Sequence, residues 1–158
     1  MGFFGGYIFD GSTWRGFDPD SDRWPDIAAP WLSVYVHDSD IATVRYEPGG
    51  PGSGIAYLGF TPRMYFGDES ASAPADLLRE AEGLASWLAR QGRNDEAELR
   101  DLIASFLAGD TPEQQIHDHA GAGTDAGDLD DAGIFVEIKV ARFLAAVGLP
   151  VPPGLPST

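Results

Sequence analysis

The sequence predicts an α+β fold: an N-terminal small antiparallel β-sheet, a meander, followed by a C-terminal helical part of three main helices. Two observations lead there. Residues 1 to 70 are rich in Trp, Tyr, Phe, Val, Gly and Pro, the composition of short strands joined by turns. From residue 74 the apolar spacing changes to that of amphipathic helices. A length of 158 residues with 43% apolar content suits a single domain, 1–158, with a real core, and argues against general disorder.

Each element has its own signal. "FFGGYIF" near the start reads as a first strand. "WLSVYV" and "IATVRYE" flank the four-residue break His37 to Asp40 and form a hairpin. In the first of these, Leu32, Val34 and Val36 alternate with Ser33 and Tyr35, which gives a clear apolar face. The second is mixed, because Ile41, Thr43 and Arg45 alternate with Ala42, Val44 and Tyr46. "PGGPGSG" reads as a flexible hairpin loop leading into "GIAYLGF".

The helical part begins with "PADLLREAEGLASWLARQG". Pro74 suits a first-turn position, Leu77, Ala81, Leu84 and Leu88 share one face, and Gly92 is a stop. "NDEAELRDLIASFLAG" offers Asn94 as N-cap and acids in the first turn, where the helix dipole favours them. Its stripe is Leu99, Leu102, Ile103, Phe106 and Leu107, with Gly109 as its end. The short connection predicts that the two helices pack as a hairpin. Thr111, Pro112 and Gln114 resemble a capping box opening a short turn. An acidic Gly/Asp loop follows at about residues 118–131; from Asp110 to Asp131 there are seven acids and no Lys or Arg. "AGIFVEIKVARFLAAVG" is apolar on most faces and predicts a buried last helix within the helical half, 74–148. Residues 149–158 read as a Pro-rich extended tail.

Twenty-five acids against ten Lys and Arg leave a net charge of −15. Such a surface repels nucleic acid and anionic membranes, which are bound through Lys and Arg, and favours a basic partner or plain solubility. The absence of cysteine rules out disulfides, thiol catalysis and cysteine-based zinc sites. No apolar run approaches the length of a membrane span. The start lacks the basic region of a signal peptide, and Gly6 stands where myristoylation needs Ser or Thr. A cytoplasmic location is expected.

Candidate chemistry is sparse. His37, Asp38 and Asp40 sit at the hairpin break, either as a tight polar turn or as part of a metal or acid–base site completed from elsewhere. "DPDSDRWPD" has the alternating aspartates of an EF-hand, but Arg23 replaces the required Gly and Ala29 the required Glu. His117 and His119, two apart, have a poor spacing for one helix face. "PGGPGSG" lacks the Lys-Ser/Thr of a phosphate cradle. No catalytic set emerges, so the chain is read as a non-enzyme without cofactor or metal. Aromatics suited to binding are Trp14, Trp24, Trp31, Tyr57, Tyr65 and Phe66, with Arg63 among the last of them.

The runs "VHDSDIATVRYEP", "GIAYLGFTPRMYFGDESAS", "REAEGLASWL" and "VARFLAAVGLPVPP" together resemble actinobacterial immunity proteins of polymorphic toxin systems, of the type that inhibits the tuberculosis necrotizing toxin, an NAD glycohydrolase. The resemblance rests on texture and element order. It implies a small cytosolic α+β antitoxin that binds a cognate toxin domain 1:1 and occludes its active site. From charge and expected exposure, the candidate toxin-binding residues are Asp38, Asp40, Gly50, Ser53, Arg63, Gln114, Gln115 and His117. The alternatives are a small metal-dependent hydrolase using His37, Asp38 and Asp40 with His117 or His119, and an acidic secretion chaperone.

Overall fold

The computed structural model describes residues 4–18, 26–93, 95–110 and 135–156. Five strands, β1 (Gly5–Phe9), β2 (Trp14–Phe17), β3 (Trp31–His37), β4 (Ile41–Glu47) and β5 (Ile55–Gly59), form one antiparallel sheet of order β2-β1-β3-β4-β5. β3, β4 and β5 are the expected meander. β1 adds beside β3, and β2 folds back along its outside. Asp10 closes the β1–β2 turn: its carboxylate accepts the Ser12 and Thr13 N–H groups, each at 2.9 Å.

The register shows which face of β4 is the core face. Leu32 lies opposite Tyr46, Val34 opposite Val44 and Val36 opposite Ala42, and on the far side Ala42 and Val44 meet Leu58 and Ala56. All of these are buried. Because side chains alternate along a strand, Thr43, Arg45, Ser33, Tyr35 and His37 belong to the opposite face.

Among the described residues four helices follow: α1 (Pro62–Phe66), α2 (Leu77–Arg90), α3 (Glu96–Phe106) and α4 (Val136–Ala146). α2 starts at Asp76, whose side chain accepts the Arg79 N–H at 3.1 Å, so Pro74 precedes the helix instead of opening it. It buries Ala81, Leu84, Trp87 and Leu88, and Gly92 follows its end with φ +101°. Asp95 occupies the N-cap of α3; Asn94 lies outside the described residues. α3 stops at Phe106, before Gly109, because Leu107 turns extended to bridge Leu58 and the Ala108 N–H donates to the Tyr57 carbonyl at 2.7 Å. Leu99, Ile103 and Leu107 are the buried part of the expected stripe, whereas Leu102 is 36% exposed. α2 and α4 cover the β4–β5 half of the sheet, and α3 packs on α2.

The β1–β2 half is closed differently. Trp14 Nε1 donates to the Pro150 carbonyl at 2.6 Å, Pro152 is buried and Leu155 is only 6% exposed. A Cβ on Gly154 would collide with the Tyr7 hydroxyl, so the tail lies directly on β1. The tail is therefore part of the core, a role its extended, Pro-rich reading does not convey. The capping box at Thr111–Gln114 and the acidic loop at about 118–131 lie outside the described residues.

The Gly-rich loop is clamped, contrary to the flexible loop expected. The Glu80 carboxylate, on α2 and 5% exposed, accepts the Tyr46 hydroxyl at 2.6 Å and the Ser53 N–H at 3.0 Å. A Cβ on Gly52 or Gly83 would collide with that hydroxyl. The glycines thus let loop, strand and helix approach closely enough to bury a carboxylate with hydrogen-bond partners.

Candidate functional site: an aromatic and acidic hairpin end

The β3–β4 turn is built from two residues in an unusual conformation. Asp38 and Ser39 both have positive φ, 54° and 58°, and the Asp40 N–H donates to the His37 carbonyl at 3.1 Å. Positive φ matches the twist of a tight hairpin, but in a non-glycine residue it costs about 1–2 kcal/mol. Four hydrogen bonds, from α1, α4 and the β5–α1 link, hold it. Tyr65 Oη, on α1, donates to Asp38 Oδ2 at 3.0 Å. Ser39 Oγ donates to Glu137 Oε1, on α4, at 3.1 Å, and the Val136 N–H donates to the Ser39 carbonyl at 2.9 Å. The Phe60 N–H donates to the Asp40 carbonyl at 2.9 Å. The turn is a fixed platform.

α1 exists because Thr61 caps it, accepting the Met64 N–H, with Pro62 following at its first turn and Gly67 ending it at φ +62°. Its function in the fold is to bring Tyr65 and Phe66 back against the hairpin. The Phe4, Tyr65 and Phe66 rings surround the His37 ring at centroid separations of 5.1, 6.1 and 6.1 Å, and Tyr65 and Phe66 meet edge-to-face at 4.9 Å. Tyr35 Oη lies 3.3 Å from His37 Nδ1. Phe4 and Phe66 remain 53% and 58% exposed. Phe135, at the start of α4, is 45% exposed as well.

The carboxylates here sit in a negative environment. Burial raises the Asp40 pKa above its ordinary value, the charges of Asp38 and Glu137 raise it further, and His37 opposes them. The hydrogen bond to Asp38 raises the Tyr65 pKa. Glu137 Oε2 is buried and has no hydrogen-bond partner among the described residues. No salt bridge among the described residues reaches Asp38 or Asp40.

The residues singled out from the sequence do not form one surface. Asp38 and Asp40 meet at the hairpin end. Gly50 and Ser53 lie beyond the other end of β4, a strand of seven residues and so roughly 20 Å long. There Gly50 faces Ser86 of α2, and the Ser53 backbone is committed to Glu80. Arg63 is on α1, two residues from Tyr65, but its guanidinium donates to the Ser72 carbonyl at 3.1 Å. Gln114, Gln115, His117 and His119 lie outside the described residues. Among the described residues no three His, Asp or Glu side chains converge with metal-binding spacing, so His37, Asp38 and Asp40 do not themselves make a metal site. Phe4 and Glu137 were not foreseen. The Thr-Pro cap of α1 was the legible signal for the position of Tyr65 and Phe66; nothing local connects Ser39 to Glu137, 98 residues away.

A separate open groove of about 930 Å³ runs between the start of α2 and α3, lined by Pro74, Leu78, Asp101 and Ala104.

Comparison with protein-family models, curated proteins and solved structures finds no match to this chain. No helix among the described residues is long and apolar enough to cross a membrane.

Proposed function

We propose that the chain is an immunity protein, a cytoplasmic antitoxin that binds a cognate toxin domain 1:1 and neutralises it by covering the active site, the toxin being of the NAD glycohydrolase class. The observation that carries this reading is the hairpin end: exposed Phe4 and Phe66 packed against His37, beside a turn held by α1, α4 and the β5–α1 link and carrying Asp38 and Asp40. Rigid aromatics on an ordered support bury apolar area at little conformational cost, which is how interface anchors work. The net charge of −15 supplies steering towards a positively charged cleft, such as one that binds a pyrophosphate-bearing dinucleotide. An occluding inhibitor needs no catalytic residues of its own.

The test is co-expression with the product of the adjacent open reading frame. A toxic product whose growth arrest is relieved by this chain, and which co-purifies with it as a folded 1:1 complex, supports the proposal. Capture of that product only when unfolded supports a secretion chaperone instead, and persistent growth arrest removes the immunity reading.

A further inference from the structure

We propose that the Phe4, His37, Tyr65 and Phe66 patch is a receptor for an arginine side chain presented by a protein partner, with Asp38 and Asp40 receiving its guanidinium. The inference rests on the toxin-inhibitor reading for its biological setting but not for its chemistry. Two exposed Phe rings flank a histidine ring and a tyrosine whose hydroxyl is already bonded to Asp38. An apolar patch of this kind would take an aliphatic anchor if its border were neutral. Its border carries Asp38 and Asp40, with Glu137 behind them, and no salt bridge among the described residues reaches either aspartate. A guanidinium satisfies both halves of such a surface. Its plane stacks on aromatic faces and its N–H fork bonds carboxylates, whereas lysine offers a compact, strongly hydrated point charge that stacks less well. The same complementarity disfavours an acidic or purely aliphatic partner segment.

Burial acts in the same direction. The raised Asp40 pKa reflects a carboxylate that would be better off near a cation. A guanidinium arriving from a partner would remove that penalty in the bound state only, which makes the contact selective for the complex.

The experiment uses the full chain, isotope-labelled, with N-acetyl-arginine amide as probe and amide resonances as readout. The expected result is a saturable shift concentrated on Phe4, His37 to Asp40, Tyr65 and Phe66. N-acetyl-lysine amide should produce a clearly weaker effect, and the uncharged citrulline analogue none. Phe66→Ala should weaken binding by roughly tenfold, on the order of one cation–π contact. Asp40→Asn should weaken it by a similar factor, with the rest of the spectrum unchanged as a check of folding. Shifts spread evenly over the acidic surface, equal response to citrulline, or undiminished binding by Phe66→Ala would each overturn the proposal. The outcome is separable from the immunity reading. If Phe66→Ala and Asp40→Asn still relieve toxin arrest in full and hold the toxin as tightly, the receptor role fails while the immunity reading stands. If arginine binds at the patch but no toxin is neutralised, the reverse holds.

Discussion

Tyr46 and Glu80, 34 residues apart, meet in a buried 2.6 Å hydrogen bond that ties the end of β4 to α2. The same carboxylate holds the Ser53 N–H, so one side chain fixes strand, helix and the Gly-rich loop together. Removing it strands a phenol and an amide in the interior. Glu80→Ala should therefore cost about 2–4 kcal/mol, and Tyr46→Phe about 1–2 kcal/mol, because each leaves partners unpaired. Urea denaturation of the two single variants and the double variant checks this. The double variant should be less destabilised than the sum of the singles, since both remove one shared contact.

The same pair sets an alkaline limit. Burial first, then the hydrogen bond and charge of Glu80, push the Tyr46 pKa far above its ordinary 10.0. For a group raised on folding, the stabilisation is complete below the unfolded pKa and declines as pH rises above it, because the unfolded chain then gives up a proton that the folded chain keeps. Stability should begin to fall at about pH 10. Tyr46→Phe should flatten that decline, as measured by thermal melts across pH 8 to 11. Tyr7, Tyr57 and Tyr65 are raised as well, so some slope remains in the variant.

Two glycines with similar backbone should respond differently to alanine. Gly59 has φ +79°, and a Cβ there would collide with the Asp40 carbonyl and come within 2.7 Å of Val136 Cγ2. Gly67 has φ +62° with nothing within 4 Å. Gly67→Ala carries only the left-handed penalty, about 1–2 kcal/mol. Gly59→Ala adds a steric clash that pries the hairpin turn from α4, and should exceed it by at least about 1 kcal/mol. Equal melting temperatures for the two variants would contradict the close approach.

The tail supplies a second contrast. Leu155 is 6% exposed and Leu78 is 65% exposed. Leu155→Ala should cost about 2–3 kcal/mol, whereas Leu78→Ala should stay within about 0.5 kcal/mol of the parent. Calorimetry on both variants tests whether the tail is structural.

Much of this fold could be read from the chain, for identifiable reasons. β3 shows its face because Leu32, Val34 and Val36 alternate with polar neighbours, and α2 because Leu77, Ala81, Leu84 and Leu88 recur at helical spacing. β4 looked mixed because Ile41 adds an apolar residue to its outer face while Ala42, Val44 and Tyr46 make the core face. β2 was missed because "WRGF" is four residues with a glycine among them, and its pairing with β1 is fixed by the Asp10 turn. The Gly-rich loop looked mobile because glycine signals freedom locally; here Gly52 and Gly83 serve close approach, which depends on Tyr46 and Glu80 far away in sequence. The candidate site was half legible. Asp38 and Asp40 announce themselves by position, but their company of Phe4, Tyr65 and Glu137 is a product of tertiary packing, which no local pattern encodes.

Asp10 and Asp40 should leave opposite pH signatures, and the second links stability to binding. Asp10 is held at a pKa of about 2, first by the backbone N–H of Thr13 and then by that of Ser12, so its contribution is present above the unfolded pKa near 3.8 and lost as pH falls towards 2. Asp10→Ala should therefore lower the melting temperature at pH 7 and converge with the parent at about pH 2. Asp40 is raised, by burial first and by Asp38 and Glu137 next. Its ionisation opposes folding, and the cost is absent below the unfolded pKa and grows as pH rises through the folded value. Asp40→Asn keeps the shape of the side chain and removes the charge. It should melt higher than the parent at pH 7 and close to the parent at pH 3. The hairpin end would then be more stable and less able to hold a cationic partner, the trade expected where a site keeps charge for recognition at the expense of the fold. A variant that is destabilised at pH 7 would mean that Asp40 is already compensated within the chain, and its place in a receptor for a guanidinium would lose its physical motive.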